Sequence, residues 1–117
     1  MNAETLKGHL DLLLLSAVQP GPAHGYAIAE KLRARSGGTF DLPEGTLYPA
    51  LHRLERASLL ASRWSEVNGR RRRVYQLTSK GQRALTTRHD DWVEFSRAVH
   101  AVVGESGRPS SDSARQR

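Results

Sequence analysis

The sequence predicts a mostly α-helical fold with one small β-hairpin. Three stretches before residue 57 repeat their apolar residues at helical spacing. Asn68-Gly69 then separates two strand-like stretches, and this pair favours a hairpin because both turn residues tolerate a positive φ. A last stretch carries apolar residues seven positions apart, which predicts a final helix. The predicted order is therefore helix, helix, helix, hairpin, helix.

The first three helices are predicted over residues 4–18, 25–36 and 43–57. The first is apolar around most of its circumference, so we expect it to be buried on more than one side. The third places its leucines on one side at helical spacing, namely Leu47, Leu51 and Leu54. Pro49 is expected to cost this helix little, because the first turns of a helix have few internal hydrogen bonds.

The hairpin is predicted from Leu60 to Leu77, and Thr78 or Ser79 can cap the helix that follows. In that helix two sets of residues recur every seven positions: Leu85, Trp92 and Val99, and Arg88, Phe95 and Val102. This short a/d heptad pattern is typical of a helix that pairs with a second helix. Residues 104–117 contain no large apolar residue, so we predict a disordered tail there.

Three helices followed by a basic hairpin describe a winged helix-turn-helix. We therefore divide the chain into a winged helix-turn-helix DNA-binding domain (1–78), a C-terminal dimerisation helix (79–103) and the tail (104–117). A chain of 117 residues can bury only a modest core, so pairing with a second copy would help it.

The charge of the chain is basic and concentrated. The whole chain has 18 Lys and Arg against 12 Asp and Glu, a net charge of +6. Between Arg53 and Arg83 there are nine basic residues and two acidic ones, a surplus of seven that exceeds that of the whole chain. This concentration on the third helix and the hairpin favours a polyanionic partner, nucleic acid before a membrane surface.

Several classes of protein are excluded by what the sequence lacks. It has no cysteine, which removes disulfides and thiolate chemistry and fits a reducing compartment. Its longest apolar run is Leu12–Leu15, far short of the roughly 20 residues of a membrane helix. The five histidines have no metal-ligand spacing, and no catalytic arrangement is visible. We expect a soluble cytoplasmic protein without signal peptide, cofactor, metal or enzymatic activity.

Three stretches of the sequence together resemble the PadR family of bacterial transcriptional regulators. They are Gly25-Tyr26-Ala27-Ile28, the stretch Gly45-Thr46-Leu47-Tyr48-Pro49-Ala50-Leu51-His52-Arg53-Leu54-Glu55, and Arg72-Arg73-Val74-Tyr75-Gln76-Leu77-Thr78-Ser79-Lys80-Gly81. The resemblance covers roughly residues 6–103 and implies a homodimeric DNA-binding regulator, usually a repressor. The single C-terminal helix is similar to the short branch of the family, in which this helix crosses onto the partner and makes the dimer.

The chain departs from the family pattern at two places. Ser58 stands where members usually have glycine, and a serine costs about 1 kcal/mol there if the backbone is left-handed. The arginine run in the hairpin is also unusually long.

The candidate DNA-binding residues lie mostly on the third helix and the hairpin. Arginines at the hairpin suit phosphates or a narrow minor groove, and Arg53 could read guanine edges. Structural alternatives stay open: packing for Tyr48, a half-buried ring for Tyr26, and plain surface positions for His52 and Lys80. The full set is Tyr26, Thr46, Tyr48, Pro49, His52, Arg53, Arg70, Arg71, Arg72, Arg73 and Lys80.

A ligand site is implied by the resemblance to multidrug-binding members of the short branch. These members carry a tryptophan at the position of Trp92, and two copies sandwich a flat aromatic ligand across the dimer axis. Other pore-lining positions match Asp11, Leu12, Phe95 and Ser96. Asp11 lies in an apolar helix, which is costly unless it meets water or a cation. The alternative for Trp92 is a plain dimer core; the predicted interface is Leu85, Trp92, Phe95, Val99 and Val102.

The favoured function is a dimeric, sequence-specific DNA-binding repressor whose DNA affinity is altered by a small planar aromatic effector. Two alternatives of other classes stay open. The arginines could contact an acidic protein, which would make the chain a protein-interaction module. The chain could also be a ligand-binding protein without specific DNA binding.

Overall fold

The computed structural model describes residues 3–104, with side chains from residue 9 onward. Its elements in chain order are α1 (Ala3–Val18), β1 (Ala23–His24), α2 (Gly25–Arg35), α3 (Glu44–Arg56), β2 (Leu60–Val67), β3 (Arg70–Leu77) and α4 (Ser79–Val103). The chain divides into two compact units, one ending at Thr86 and the other beginning at Thr87. The division into domains drawn from the sequence stays a prediction, and its tail lies outside the described residues except for Gly104.

The predicted mostly α-helical fold with a small sheet is confirmed, but the sheet has a third strand. Its order is β1-β3-β2, and both pairings are antiparallel. In β1, Ala23 lies opposite Tyr75 and His24 lies opposite Val74. The prediction of a two-stranded hairpin missed β1 because two residues are too few to show an alternating pattern, and their strand conformation depends on the free edge of β3.

One apolar core is formed by the first three helices and the inner side of the sheet. Leu14 and Leu15 of α1 are both fully buried, as expected for a helix that is apolar around most of its circumference. The other buried members include Ile28 and Leu32 of α2, Leu47, Leu51 and Leu54 of α3, and Leu60 and Tyr75 of the sheet. Among the described helices, none is long and apolar enough to cross a membrane.

Leu85 belongs to this core and corrects one part of the predicted dimer interface. Only 8% of Leu85 is exposed, so it is covered by its own chain. The start of α4 belongs to the first unit and lies close to the turn before β2, because a Cβ on Gly81 would collide with the backbone carbonyl of Leu59. The heptad pattern placed Leu85 on the same stripe as Trp92, but burial within the chain takes precedence over the repeat.

The turn between α3 and β2 contains Ser58, the residue that stands where the family usually has glycine. Ser58 has a φ of +64°. Its N–H donates to the Glu55 carbonyl at 2.9 Å, and the Leu59 N–H donates to the Leu54 carbonyl at 3.0 Å. These two bonds form a Schellman motif, in which glycine is the usual left-handed residue.

Thr78 links this turn to the start of α4. Its hydroxyl donates to the Ser58 carbonyl at 2.6 Å and accepts the Gly81 N–H at 2.9 Å. Thr78 therefore caps α4, as one of the two residues predicted for that role. The ammonium group of Lys80 adds a third contact, because it donates to the Ala57 carbonyl at 3.2 Å.

Replacing Ser58 with glycine is expected to stabilise the protein. Ser58→Gly removes the left-handed strain and keeps the backbone carbonyl that Thr78 contacts, so the free energy of unfolding should rise by about 1 kcal/mol. Urea unfolding followed by circular dichroism measures this change. Ala57→Gly is the matched control: Ala57 has a φ of −82°, so glycine there should not stabilise. An unchanged or lower stability of Ser58→Gly would contradict the strain at this position.

Candidate nucleic-acid interface

The outer side of α3 presents most of the candidate residues predicted on this helix. Tyr48, Pro49, His52 and Arg53 are exposed, while Thr46 is only partly so. They recur three and four positions apart, opposite the buried leucines. Pro49 is the sixth residue of α3, so it leaves the carbonyl of Gly45 without its usual hydrogen bond within the helix. The burial of the leucines therefore directs these side chains outward.

Tyr48 packs against the first residue of α2 and remains partly exposed. A Cβ built on Gly25 would lie 2.5 Å from Cε1 of the Tyr48 ring, so the ring covers a position that only glycine leaves open. Yet 39% of Tyr48 is still exposed. The packing alternative is thus correct for the ring, and it explains why glycine precedes Tyr26.

The hairpin divides its four arginines between two faces. Asn68 and Gly69 both have positive φ, as the turn prediction required. The register places Arg71 opposite Glu66 and Arg73 opposite Trp64. Arg70 and Arg72 alternate with them and therefore point to the other face of the sheet. The arginines form two pairs with different surroundings instead of one cluster.

The first face is organised around Trp64, a residue that the sequence did not single out as part of the site. The guanidinium carbons of Arg71 and Arg73 lie 5.0 and 5.4 Å from the centroid of its ring. Both distances fit cation–π contacts. The signal that could have found Trp64 is its register opposite an arginine, which becomes visible once the hairpin turn is placed.

Arg73 also joins the hairpin to the end of α3. Its Nε donates to the Ser62 hydroxyl at 2.9 Å, and its Nη2 lies 3.6 Å from Oε2 of Glu55. The Ser62 hydroxyl donates to the same Glu55 oxygen at 2.5 Å. Sequence reasoning missed Glu55 and Ser62 as well. Among the four arginines, Arg73 has the contacts of a structural link.

The second face contributes to a cleft that brings three predicted residues together. Tyr26, Tyr48 and Arg72 all line this cleft of about 530 Å³. Tyr26 is 60% exposed, and its role as a DNA contact stays a prediction. The lining also includes acidic and basic side chains of α2, α3 and the loop between them: Glu30, Arg33, Asp41 and Glu44. The cleft is therefore mixed in charge, with Arg72 as its cation from the sheet.

His24 caps α2 beside this cleft. Its Nδ1 accepts the Ala27 N–H at 3.2 Å, and its ring stacks on Tyr26 at a centroid distance of 6.3 Å. Burial, and secondarily the charge of Arg72, lower the pKa of His24 below its ordinary value of 6.5. Both effects favour the neutral ring, which the cap requires because a protonated Nδ1 cannot accept.

Arg53 on α3 pairs with Asp11 on α1. Its Nη2 lies 2.7 Å from Oδ1 of Asp11 and its Nη1 lies 3.1 Å from Oδ2, so both carboxylate oxygens are engaged. The hydrogen bond to Asp11 raises the pKa of Arg53 above its ordinary value. Asp11 was expected to need water or a cation, and Arg53 is a cation that it meets.

The second unit carries an exposed apolar stripe on α4, formed by Trp92, Phe95, Val99 and Val102 and called here the α4 stripe. These side chains are between 39% and 74% exposed in the single chain. The rings of Trp92 and Phe95 lie 6.4 Å apart between centroids. Ser96 is partly buried. Asp11 and Leu12 belong to the first unit, so their grouping with these residues stays a prediction.

The residues that the structure describes hold no group of three or more acidic or histidine side chains that could bind a metal ion.

Lys80 was predicted from the sequence as a candidate phosphate contact. In the structure its ammonium group donates to the Ala57 carbonyl. That contact places a cation at the carboxyl end of α3, where the helix dipole favours it.

Comparison with known proteins links this arrangement to one family. The model of the transcriptional regulator PadR-like family matches residues 14–87. The transcriptional regulator Rv3488 of Mycobacterium tuberculosis is 40% identical over 88 residues, which cover 75% of this chain and 79% of that protein.

Solved structures agree. A PadR family transcriptional regulator from Eggerthella lenta superposes with a TM-score of 0.73 at 33% identity, covering 86% of each chain. A transcriptional regulator from Clostridium thermocellum superposes with a TM-score of 0.78 at 25% identity, covering 86% of this chain and 99% of that one.

The His24 cap is expected to make stability fall in mild acid. Because the pKa of His24 is lowered in the folded protein, the unfolded chain binds the proton first as the pH drops. The contribution of His24 is therefore complete above about pH 6.5 and is lost below it. Free energies of unfolding at pH 7.5 and 5.5 measure the loss. The control His24→Asn keeps a capping oxygen that does not titrate; parallel pH curves for the two proteins would contradict the prediction.

Proposed function

The chain belongs to the PadR-like family of transcriptional regulators, and from this premise we propose that it represses transcription by binding operator DNA as a homodimer. One observation carries the DNA part of the proposal. Tyr48 from α3 and Arg72 from the hairpin line the same cleft, although they lie far apart in sequence. A helix face and a basic hairpin that meet in this way can contact one duplex together.

In the proposed complex, α3 enters the major groove and the hairpin grips the flanking backbone. Pro49 and His52 are exposed on the outer side of α3 and face the bases. Arg70, Arg71 and Arg72 bind phosphates, for which the guanidinium fork is well shaped. Arg73 holds the hairpin against α3 through Glu55, so its part is positioning. A DNA partner also implies that the protein acts in the cytoplasm.

The dimer is proposed to form through the α4 stripe. Four apolar side chains at heptad spacing are exposed in the single chain, and such a continuous patch is unfavourable in water. Pairing with a second copy covers them. We also propose that a small planar aromatic effector binds at this interface against Trp92, Phe95 and Ser96. If DNA and effector favour different spacings of the two α3 helices, each lowers the affinity for the other.

DNA binding is tested by fluorescence anisotropy with a duplex from the upstream region of the gene and a scrambled duplex, over a salt series. We expect tight, selective binding that weakens steeply with salt. The double variant Arg70→Gln/Arg72→Gln should reduce the slope of log Kobs against log salt by about 0.9 for each phosphate that the variant no longer neutralises.

Arg97→Gln is the control, because it removes one arginine charge from an exposed position of α4 that is not among the proposed DNA-contacting residues. Its salt slope should equal that of the wild type. Absence of binding to either duplex at low salt would contradict the DNA role and direct the arginines to an acidic protein. Equal, weak binding to both duplexes would contradict specific recognition of the chosen operator.

The dimer is tested by light scattering coupled to size exclusion. Val99→Asp puts a charge in the middle of the α4 stripe and should convert the dimer to a monomer, since two carboxylates would be buried at the pairing surface. Ala101→Asp introduces the same charge at an exposed α4 position outside the stripe and should leave the dimer intact. A wild-type monomer, or a dimer that tolerates Val99→Asp, would refute pairing through this stripe.

A further inference from the structure

We propose that Asp11 restrains Arg53 in the free protein and competes with DNA for it, so that Arg53 passes from the Asp11 carboxylate to DNA on binding. The inference rests on the proposed DNA-binding function. It assigns to Asp11, a residue of α1, a role in setting the affinity of the recognition surface on α3.

The geometry of the pair supports this competition. Both terminal nitrogens of Arg53 donate to the carboxylate, at 2.7 and 3.1 Å. A guanidinium bound in this manner presents its fork to the protein. The same fork is what reads the O6 and N7 edge of guanine or two phosphate oxygens. Arg53 therefore cannot point the two terminal nitrogens end-on at Asp11 and at DNA at the same time.

Arg53 is more exposed than Asp11, as its proposed transfer from the carboxylate to DNA requires. The Arg53 side chain is 53% exposed, whereas the Asp11 side chain is 19% exposed. Arg53 also lies on the same outer side of α3 as Pro49 and His52. The arginine can thus reach a partner in solvent while the carboxylate stays with α1.

Arg53 differs from Arg73 in the number of groups that hold its guanidinium. Arg73 is held by a carboxylate, a hydroxyl and an aromatic ring, supplied by Glu55, Ser62 and Trp64. Removing it from these groups would break the side-chain link between the hairpin and Glu55 of α3. The contact of Arg53 with Asp11 is one ion pair whose arginine is largely exposed to solvent, and such a contact contributes little to stability.

Asp11 is expected to weaken DNA binding because the ion pair must be broken before Arg53 can bind DNA. Removing an ion pair whose arginine is exposed to solvent should change the affinity of the protein for DNA by up to about fivefold. Asp11→Asn should therefore bind the duplex more tightly than the wild type.

The experiment compares DNA affinities of the wild type, Asp11→Asn, Arg53→Gln and the double variant by anisotropy on the same duplex at the same salt. Glu94→Gln is the matched control, because it changes the net charge equally at an exposed position of α4. We expect binding by Asp11→Asn to be tighter by up to about fivefold, little change in Glu94→Gln, and no gain from Asp11→Asn when Arg53 is already Gln. Thermal unfolding verifies that each variant folds, and Asp11→Ser serves if Asp11→Asn does not.

Each result bears on the inference. Equal or weaker binding by Asp11→Asn, while the wild type binds well, would overturn the competition and leave the DNA-binding proposal intact. A gain that persists in the Arg53→Gln background would show general repulsion by the carboxylate and would overturn the transfer of Arg53. Failure of every variant to bind any duplex at low salt would overturn the proposed function and this inference together.

Discussion

Burial of one side of α3 is the constraint on which the rest of this protein's surface depends. Leu47, Leu51 and Leu54 are almost completely buried against α1, α2 and the sheet. Each such side chain contributes about 1.5–3 kcal/mol by leaving water. Rotating α3 by even one residue would expose part of this set, so its outward side is determined by its inward side.

The carboxyl end of α3 transmits this orientation to the neighbouring elements. Glu55 contacts Ser62 and Arg73 of the hairpin, while the carbonyls of Ala57 and Ser58 accept from the start of α4. The Schellman turn at Ser58 satisfies carbonyls that would otherwise lack partners. The helix, the hairpin and the beginning of α4 are therefore joined at one end of α3, where a shift of one element would move the others.

The net charge of a stretch of sequence does not show which of its arginines are available to a ligand. The stretch from Arg53 to Arg83 has a surplus of seven positive charges. Two of its arginines are nevertheless engaged by carboxylates, Arg53 by Asp11 and Arg73 by Glu55. The exposed arginines at the end of the hairpin are freer to meet a polyanion. A basic sequence indicates the class of partner, whereas the ion pairs decide which arginines meet it.

Local patterns in the sequence by themselves determined the helices and the hairpin turn at Asn68-Gly69, because spacing and turn chemistry act over a few residues. The strain at Ser58 was suspected only from the resemblance to the family, whose members usually have glycine there. The candidate residues on the outer side of α3 followed from the position of its leucines. The tertiary structure decided what depends on distant partners: the third strand, the burial of Leu85, the two faces of the arginine run and the pairing of Arg53 with Asp11. That pair is separated by 42 residues, and no local signal specifies which carboxylate folding brings to a given guanidinium.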